Sequence, residues 1–500
     1  MLRKIRLTLA IACCLLLTLL FVDFTGALHL WFGWLAKIQF LPAVLALNVG
    51  AIVFLMLLTL VGGRIYCSVI CPLGVFQDLV ARIGRGKKKL PYSYAKPKRW
   101  LRYGVLVLFI IALMAGINAI VAFIDPYGIY GRIANNLFQP LWILGNNLLA
   151  SIAERVDSYA FYQTDVWLKS LPVFIIAGAV TIVIIVLAWR NGRTYCNTIC
   201  PVGTFLGLLS NKALFRIAVD KDKCTGCMVC ARNCKASCID ATKGEVDNSR
   251  CVVCMNCIGK CKKDAIGYRF AYAGKKVTNV SEEENRTGGR REFFAGFMLL
   301  LGASLKAQVA DKTKKIKMDG GLANIIDKKV PTRHTPLTPA GSQSWHNLQS
   351  HCTACQLCIS VCPNEVLRPS TSLESFMQPV MSYERGYCRP ECTKCSEVCP
   401  TGAILKIGKA DKSSIQIGHA VWVKENCIPL TDKQACGNCT RHCPVSAISM
   451  IPSEPGNADS LKIPAVNVER CIGCGACENL CPSRPYSAIY VEGHQRHRIV

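Results

Sequence analysis

Several familiar signatures are missing from this chain. It has no C-x-x-C-H segment, and no histidine falls within its four long apolar stretches. Both absences argue against c-type haem and against haem held between paired histidines inside a membrane. No glycine fingerprint stands between a strand and a helix in the manner a nucleotide phosphate requires, so hydride chemistry has no seat here. Nothing local recommends a Ser, His and Asp hydrolytic site. Acidic residues are also scarce: 32 Asp and Glu face 59 Lys and Arg, for a net charge of +27. Those cations do not cluster with stacking aromatics in a soluble patch, which removes nucleic acid as the partner they serve.

What the chain has instead is apolar length and cysteine. Five hundred residues, 51% of them hydrophobic, are too many for one compact core. Four apolar stretches lie near 5–24, 40–61, 103–124 and 171–189. Each approaches the roughly 17 to 25 residues that cross a hydrocarbon core. One such run alone also fits a buried core helix, but the flanking charge is consistent across all four. Residues 82–102 carry nine Lys or Arg and no acid, including Lys87, Lys88 and Lys89, and the opening "MLRKIR" is basic as well. By the positive-inside rule both face the cytoplasm, while the near-balanced loop 125–170 faces out.

A motif is written twice, "GRIYCSVICPLGVFQDL" from Gly63 and "GRTYCNTICPVGTFLGL" from Gly192. Each copy follows an apolar stretch at its cytoplasmic end. Two Cys four residues apart share a helix face, and the following Pro tends to end that helix. Cys67 and Cys71 with Cys196 and Cys200 then supply four soft ligands, the number a four-iron cluster or a zinc site needs. Two separate thiol pairs that only pack or exchange are the other reading. Cys13 and Cys14, within the first stretch, read as small hydrophobes.

Most of the 31 Cys fall in regular quartets. Cys224, Cys227, Cys230 and Cys234 follow C-x2-C-x2-C-x3-C, and Cys251, Cys254, Cys257 and Cys261 repeat it. This is the bacterial ferredoxin spacing, in which the fourth Cys reaches across to the other cluster. Cys261 is therefore expected to complete the first set and Cys234 the second. Cys238, just beyond, reads as a packed thiol. Further on stand Cys352, Cys355, Cys358 and Cys362, then Cys388, Cys392, Cys395 and Cys399. After them come Cys427, Cys436, Cys439 and Cys443, then Cys471, Cys474, Cys477 and Cys481. By the same exchange Cys399 joins the set of Cys352, and Cys362 that of Cys388. Likewise Cys481 joins the set of Cys427, and Cys443 that of Cys471. Six [4Fe-4S] clusters are the expectation, with a further metal site at the paired CxxxCP motifs. Lys221, Lys223, Lys235, Lys260, Lys262 and Lys263 surround the first two quartets. Their charge favours reduced clusters and acidic partners, and equally obeys the positive-inside rule.

These features divide the chain into a membrane unit with both CxxxCP motifs (1–215), a cytoplasmic two-cluster unit (216–275), a linker with an apolar segment (276–310), a second linker (311–350) and a four-cluster unit (351–500). The expected fold is an α-helical membrane domain with four main spans, joined to α+β bacterial ferredoxin-like domains. Phe293–Leu305 is a candidate fifth span. Preceded by Arg290 and Arg291 and followed by "ASLKAQ", it resembles a twin-arginine export signal, which moves folded cargo. Export would leave the last unit in the periplasm; as an ordinary helix, the segment would leave that unit in the cytoplasm.

The four spans with "CSVICP" and "CNTICP" and a following two-cluster unit resemble the NapH family of membrane iron-sulfur proteins, with its MauN and NosR relatives. The part after Arg290 resembles periplasmic polyferredoxins of the NapG and MauM type. The resemblance implies a protein of the bacterial inner membrane that oxidises quinol, in the manner of a quinol dehydrogenase, and passes electrons to a periplasmic reductase, or that assists its maturation. Six clusters and no substrate signature describe an electron carrier; a redox sensor should show an effector domain, and none is visible. A hydrocarbon core of about 30 Å is wide for one electron hop, so a quinone is the expected mobile bridge. The segment "GRIANNLFQPLWILGNNLLASIAERV" is a candidate shelter for its headgroup and equally reads as an amphipathic packing helix.

Overall fold

The computed structural model describes residues 2–23, 25–84, 92–158, 160–272 and 327–500. Lys87–Lys89, Arg290, Arg291 and the segment 293–305 lie outside them. Among the described residues, Leu2–Val22 and Leu171–Asn191 are long and apolar enough to cross a membrane. The other two expected spans are interrupted. The run from 40 to 61 divides into helices Phe40–Leu45 and Val49–Gly62, because Asn48 caps the second: its side chain accepts from the Ala51 N–H at 3.1 Å. The run from 103 to 124 divides into Arg99–Met114 and Asn118–Ile124. There Gly116 takes φ 70° and the Ile117 N–H reaches back to the Ala112 carbonyl at 2.8 Å, the geometry of a Schellman stop. Val53, Phe54, Leu108, Ile111, Ile182 and Val183 stand exposed on these helices, an apolar surface of the kind that meets lipid.

Both copies of the doubled motif fold alike. A long helix ends, a glycine turns with positive φ (Gly63 at 77°, Gly192 at 71°), a short helix follows, and a second helix doubles back. The prolines do more than stop a helix. Pro72 and Pro201 occupy the first turn of Pro72–Ile83 and Pro201–Ser210, where a missing N–H costs nothing. Cys71 and Cys200 thereby become the N-caps of those helices.

The cysteine-rich units are built from short helices and two-stranded ribbons. Phe215–Val219 pairs with Ile266–Phe270 in the first, and Ile415–Trp422 with Ile489–Ile499 in the second. Such ribbons are marginal alone and depend on what packs between them. The two units stand at opposite ends of the helical layer. Near the start of Leu2–Val22, Arg6 reaches the Cys254 carbonyl at 3.5 Å; past its end, the Thr25 carbonyl accepts from Lys394 at 2.9 Å. A helix of 21 residues separates those contacts by about 30 Å.

One carboxylate ties the first of these ends together. Asp78 pairs with Arg193 at 2.7 Å, Lys235 at 2.5 Å and Arg6 at 3.2 Å. Burial opposes its ionisation, yet the Arg193 and Lys235 charges hold its carboxyl well below the ordinary range. Because the folded pKa is depressed, the stabilisation is present above the ordinary value of about 3.9 and fades as pH falls toward the folded one. Asp78→Asn leaves three buried cations short of a partner and should cost about 3–5 kcal/mol. Thermal unfolding of the detergent-solubilised chain checks this: a large drop in Tm at pH 7 is expected.

Candidate metal centres

Cys67, Cys71, Cys196 and Cys200 are all buried and lie within electrostatic reach of one another.

 The thiolates raise one another's cost of ionisation across the two copies, Cys71 feeling Cys196 and Cys67, and Cys200 feeling all three others. An approximate two-fold relation governs their surroundings. Arg64 of the first copy donates to the Cys196 carbonyl at 3.2 Å, and Arg193 of the second donates to the Cys67 carbonyl. Arg64 also bonds the Asn197 side chain at 3.0 Å and stands 3.7 Å from the Cys67 sulfur. Gln77 donates to the Cys196 sulfur at 3.4 Å, and the Gly203 N–H to the Cys200 sulfur at 3.3 Å. Two fully buried guanidinium groups beside four soft ligands favour an anionic, thiolate-bound centre.

The quartets share a local conformation that spacing alone does not reveal. In four sets the second residue after the first Cys and the residue directly after the second Cys both take positive φ: Gly226 and Met228, Val253 and Met255, Ala354 and Gln356, Gly473 and Gly475. Three residues past the fourth Cys the same occurs at Ser237, Asp264, Glu365, Gly402 and Ser446. Alternation of right- and left-handed residues turns successive N–H groups inward and makes the concave nest that suits an anionic cluster. Some of those N–H groups bond sulfur directly: Ala354 to Cys352 at 3.4 Å, Ile404 to Cys399 at 3.4 Å, Ala447 to Cys443 at 3.2 Å and Ala488 to Cys481 at 3.3 Å.

Sulfurs from two different cysteine runs gather in five of the sets. Cys362, Cys388, Cys392 and Cys395 wall one space, Cys443, Cys471, Cys474 and Cys477 a second, and Cys427, Cys436, Cys439 and Cys481 a third. Cys399 lies within electrostatic reach of Cys352, Cys355 and Cys358, and Cys234 within reach of Cys254 and Cys257. Cys224, Cys227 and Cys230 are mutual neighbours, and Cys261 follows the short helix Ile258–Lys260. Among the described residues no three His, Cys, Asp or Glu side chains converge tightly enough to hold a single ion. Burial pushes the Cys355 and Cys474 thiols up to about 12, so both are neutral near pH 7 and a centre bound through their sulfurs has to displace those protons. Soft donors, inward N–H groups and buried walls together fit iron-sulfur clusters.

Several supporting residues escaped the reading of cysteine spacing. Arg64, Arg193 and Asp78 are among them; the Gly-Arg pair repeated at the head of each motif copy was the signal for the two arginines, and Asp78 had none. Lys412 donates to the Cys388 sulfur at 3.2 Å, and nothing in the sequence marks it out. Cys238 is fully buried, with its sulfur 3.5 Å from that of Cys234. Cys14 stands 3.8 Å from the Tyr130 hydroxyl.

Comparison with known proteins agrees with this chemistry. A 4Fe-4S binding domain model matches residues 44–91 and 171–220, the stretches that hold the doubled motif, and a 4Fe-4S dicluster domain model matches 346–403 and 434–484. The methylamine utilization ferredoxin-type protein MauM of Methylobacillus flagellatus is 34% identical over 171 residues, which are 32% of this chain and 70% of that protein. The ferredoxin-type protein NapH of Haemophilus influenzae is 29% identical over 196 residues, 39% of this chain and 55% of NapH. NapF of Escherichia coli is 25% identical along its whole length, covering 36% of this chain. No solved structure matches.

Close packing makes the four-cysteine site testable. A Cβ on Gly203 would lie 2.5 Å from the Cys196 carbonyl oxygen and 2.6 Å from the Arg64 guanidinium. Gly203→Ala is expected to lower bound iron per chain as far as Cys200→Ser does. Elemental analysis of the purified variants, set against the wild type, checks it; unchanged iron in Gly203→Ala would contradict the assignment.

Proposed function

This chain belongs to the NapH/MauM-type polyferredoxins, and on that premise we propose that it is a membrane-anchored electron carrier between the quinol pool and a redox partner, a reductase, in the periplasm. The observation that carries the reading is the placement of two cysteine-rich units at opposite ends of one helical layer, with the paired CxxxCP site between them. In this reading Cys224, Cys227, Cys230 and Cys261 hold one [4Fe-4S] cluster, and Cys251, Cys254, Cys257 and Cys234 another. Four more rest on Cys352, Cys355, Cys358 and Cys399; on Cys388, Cys392, Cys395 and Cys362; on Cys427, Cys436, Cys439 and Cys481; and on Cys471, Cys474, Cys477 and Cys443. Cys67, Cys71, Cys196 and Cys200 hold a further iron centre. When bound, these groups supply one-electron redox chemistry.

The chain's own part is to space the centres, to keep water from them and to bias their charge. Contacts run unbroken from one end to the other. On the first side of the doubled motif, the Arg193 N–H meets the Lys235 carbonyl at 2.9 Å and the Asn197 amide meets the Ala236 carbonyl at 3.0 Å. On the second side, the Tyr195 hydroxyl donates to the Ile124 carbonyl at 2.6 Å. Eight residues on, Arg132 donates to the Ala354 carbonyl, beside Cys355, at 3.3 Å. The motif thus touches segments that lead to both units.

Sidedness is the decisive point for this function. A C-terminal tag in spheroplasts should be cut by external protease when Arg290 and Arg291 are intact and protected when both are replaced by Lys. Protection in both forms would place the last unit in the cytoplasm and overturn a periplasmic partner.

A further inference from the structure

A cavity of about 380 Å³ lies between the outward loop and the C-terminal unit, within the size range of small-molecule sites. One wall is the π-helical turn Ala134–Phe138 with the start of Gln139–Glu154; a second is the extended stretch 162–169; a third comes from Ile359–Leu367. Single π turns inside helices recur at functional sites, because the extra residue re-aims the side chains around it. Trp167 pins the extended stretch, with the Arg368 and Arg385 guanidinium groups 4.8 and 5.0 Å from its ring.

The cavity is polar at one end and apolar along its length. Lys169 donates to the Asn135 and Gln139 side-chain oxygens, each at 2.6 Å. An ammonium has three donors, so one N–H is left over after those two bonds. The Thr164 hydroxyl, which also lines the space, is buried with no hydrogen-bond partner among the described residues. Pro140, Ile143, Val166 and Ile359 form the apolar part. On the same helix as Ile143, Leu141, Leu144 and Leu148 are exposed, an apolar path of the kind a lipid-soluble tail follows. Cys362, one of the four sulfurs that gather with Cys388, stands in the wall.

A ligand suited to this space has a flat apolar body, hydrogen-bonding oxygen at one end, an apolar tail and a reason to sit beside a redox centre. We propose that the cavity binds a quinone or quinol headgroup, with Lys169 and the Thr164 hydroxyl directed to its ring oxygens. The proposal rests on the quinol-linked reading above and gives that reading a place and residues. The outward segment then serves as one wall of the site, joined by the loop 162–169 and the C-terminal unit.

The test is binding of a short-chain quinone to the full-length, iron-loaded chain in detergent, together with photolabelling by an azidoquinone. Lys169→Met is expected to weaken binding about tenfold or more, the scale of one lost hydrogen bond to a charged donor. Lys169→Arg should retain most of it, and Ile143→Trp should block it by filling the cavity, with iron content unchanged in all three. The label should fall on the segments 135–143 or 359–367. Wild-type binding in both Lys169→Met and Ile143→Trp, with the label elsewhere, overturns this site and leaves a quinone partner standing. No binding by the wild-type chain, with its clusters still reducible by dithionite, removes the quinone partner as well.

Discussion

Four cysteines from two distant copies of one motif meet only if two re-entrant turns are held face to face, and a buried carboxylate does the holding. Asp78 leaves the first copy, pairs with Arg193 of the second, and takes Lys235 from the adjoining cysteine-rich unit and Arg6 from the first long helix. Removing charges from water is costly, so such a cluster persists only where each cation has its partner and its geometry is fixed. Arg64 and Arg193 complete the lock by bonding across the pair to the carbonyls of Cys196 and Cys67. That alignment sets the Gly192 turn against Lys235 and the Tyr195 hydroxyl within reach of the Ile124 carbonyl.

The cysteine sets solve a different problem. Their units carry little regular structure, and short ribbons cannot bury enough surface to be stable on their own. The repeated left-handed residues in the Cys loops, such as Met255, Ala354 and Gln356, would be unfavourable in an empty fold. Around an anionic cluster they become useful, because they aim backbone N–H groups at sulfur. The bound group and the backbone conformation therefore support each other, as metal binding and folding do in other small metal-dependent domains.

Much of this was legible in the sequence, because ligand spacing is a local property. The C-x2-C-x2-C-x3-C runs announced iron-sulfur chemistry, and the doubled motif announced a paired site. Hydropathy was less informative, since it averages over residues whose individual effects differ. Asn48 and Gly116 each end a helix inside an apolar run, so two of the four expected spans are broken. Long-range partners were invisible for another reason: Asp78 and Lys412 look like ordinary surface charges until the fold brings their partners to them. The polar end of the outer cavity was equally hidden, because Lys169 and Asn135 lie 34 residues apart with no motif joining them.

The central claim is that one chain carries electrons between two faces of a membrane through the paired CxxxCP site. Its most direct test is a quinone-free proteoliposome with ferricyanide trapped inside and a membrane-impermeant reductant added outside. Ferricyanide reduction that requires the chain and is lost in Cys67→Ser and Cys196→Ser is the result expected. Equal reduction by those variants, with their six cysteine quartets loaded, would contradict a route through the paired site.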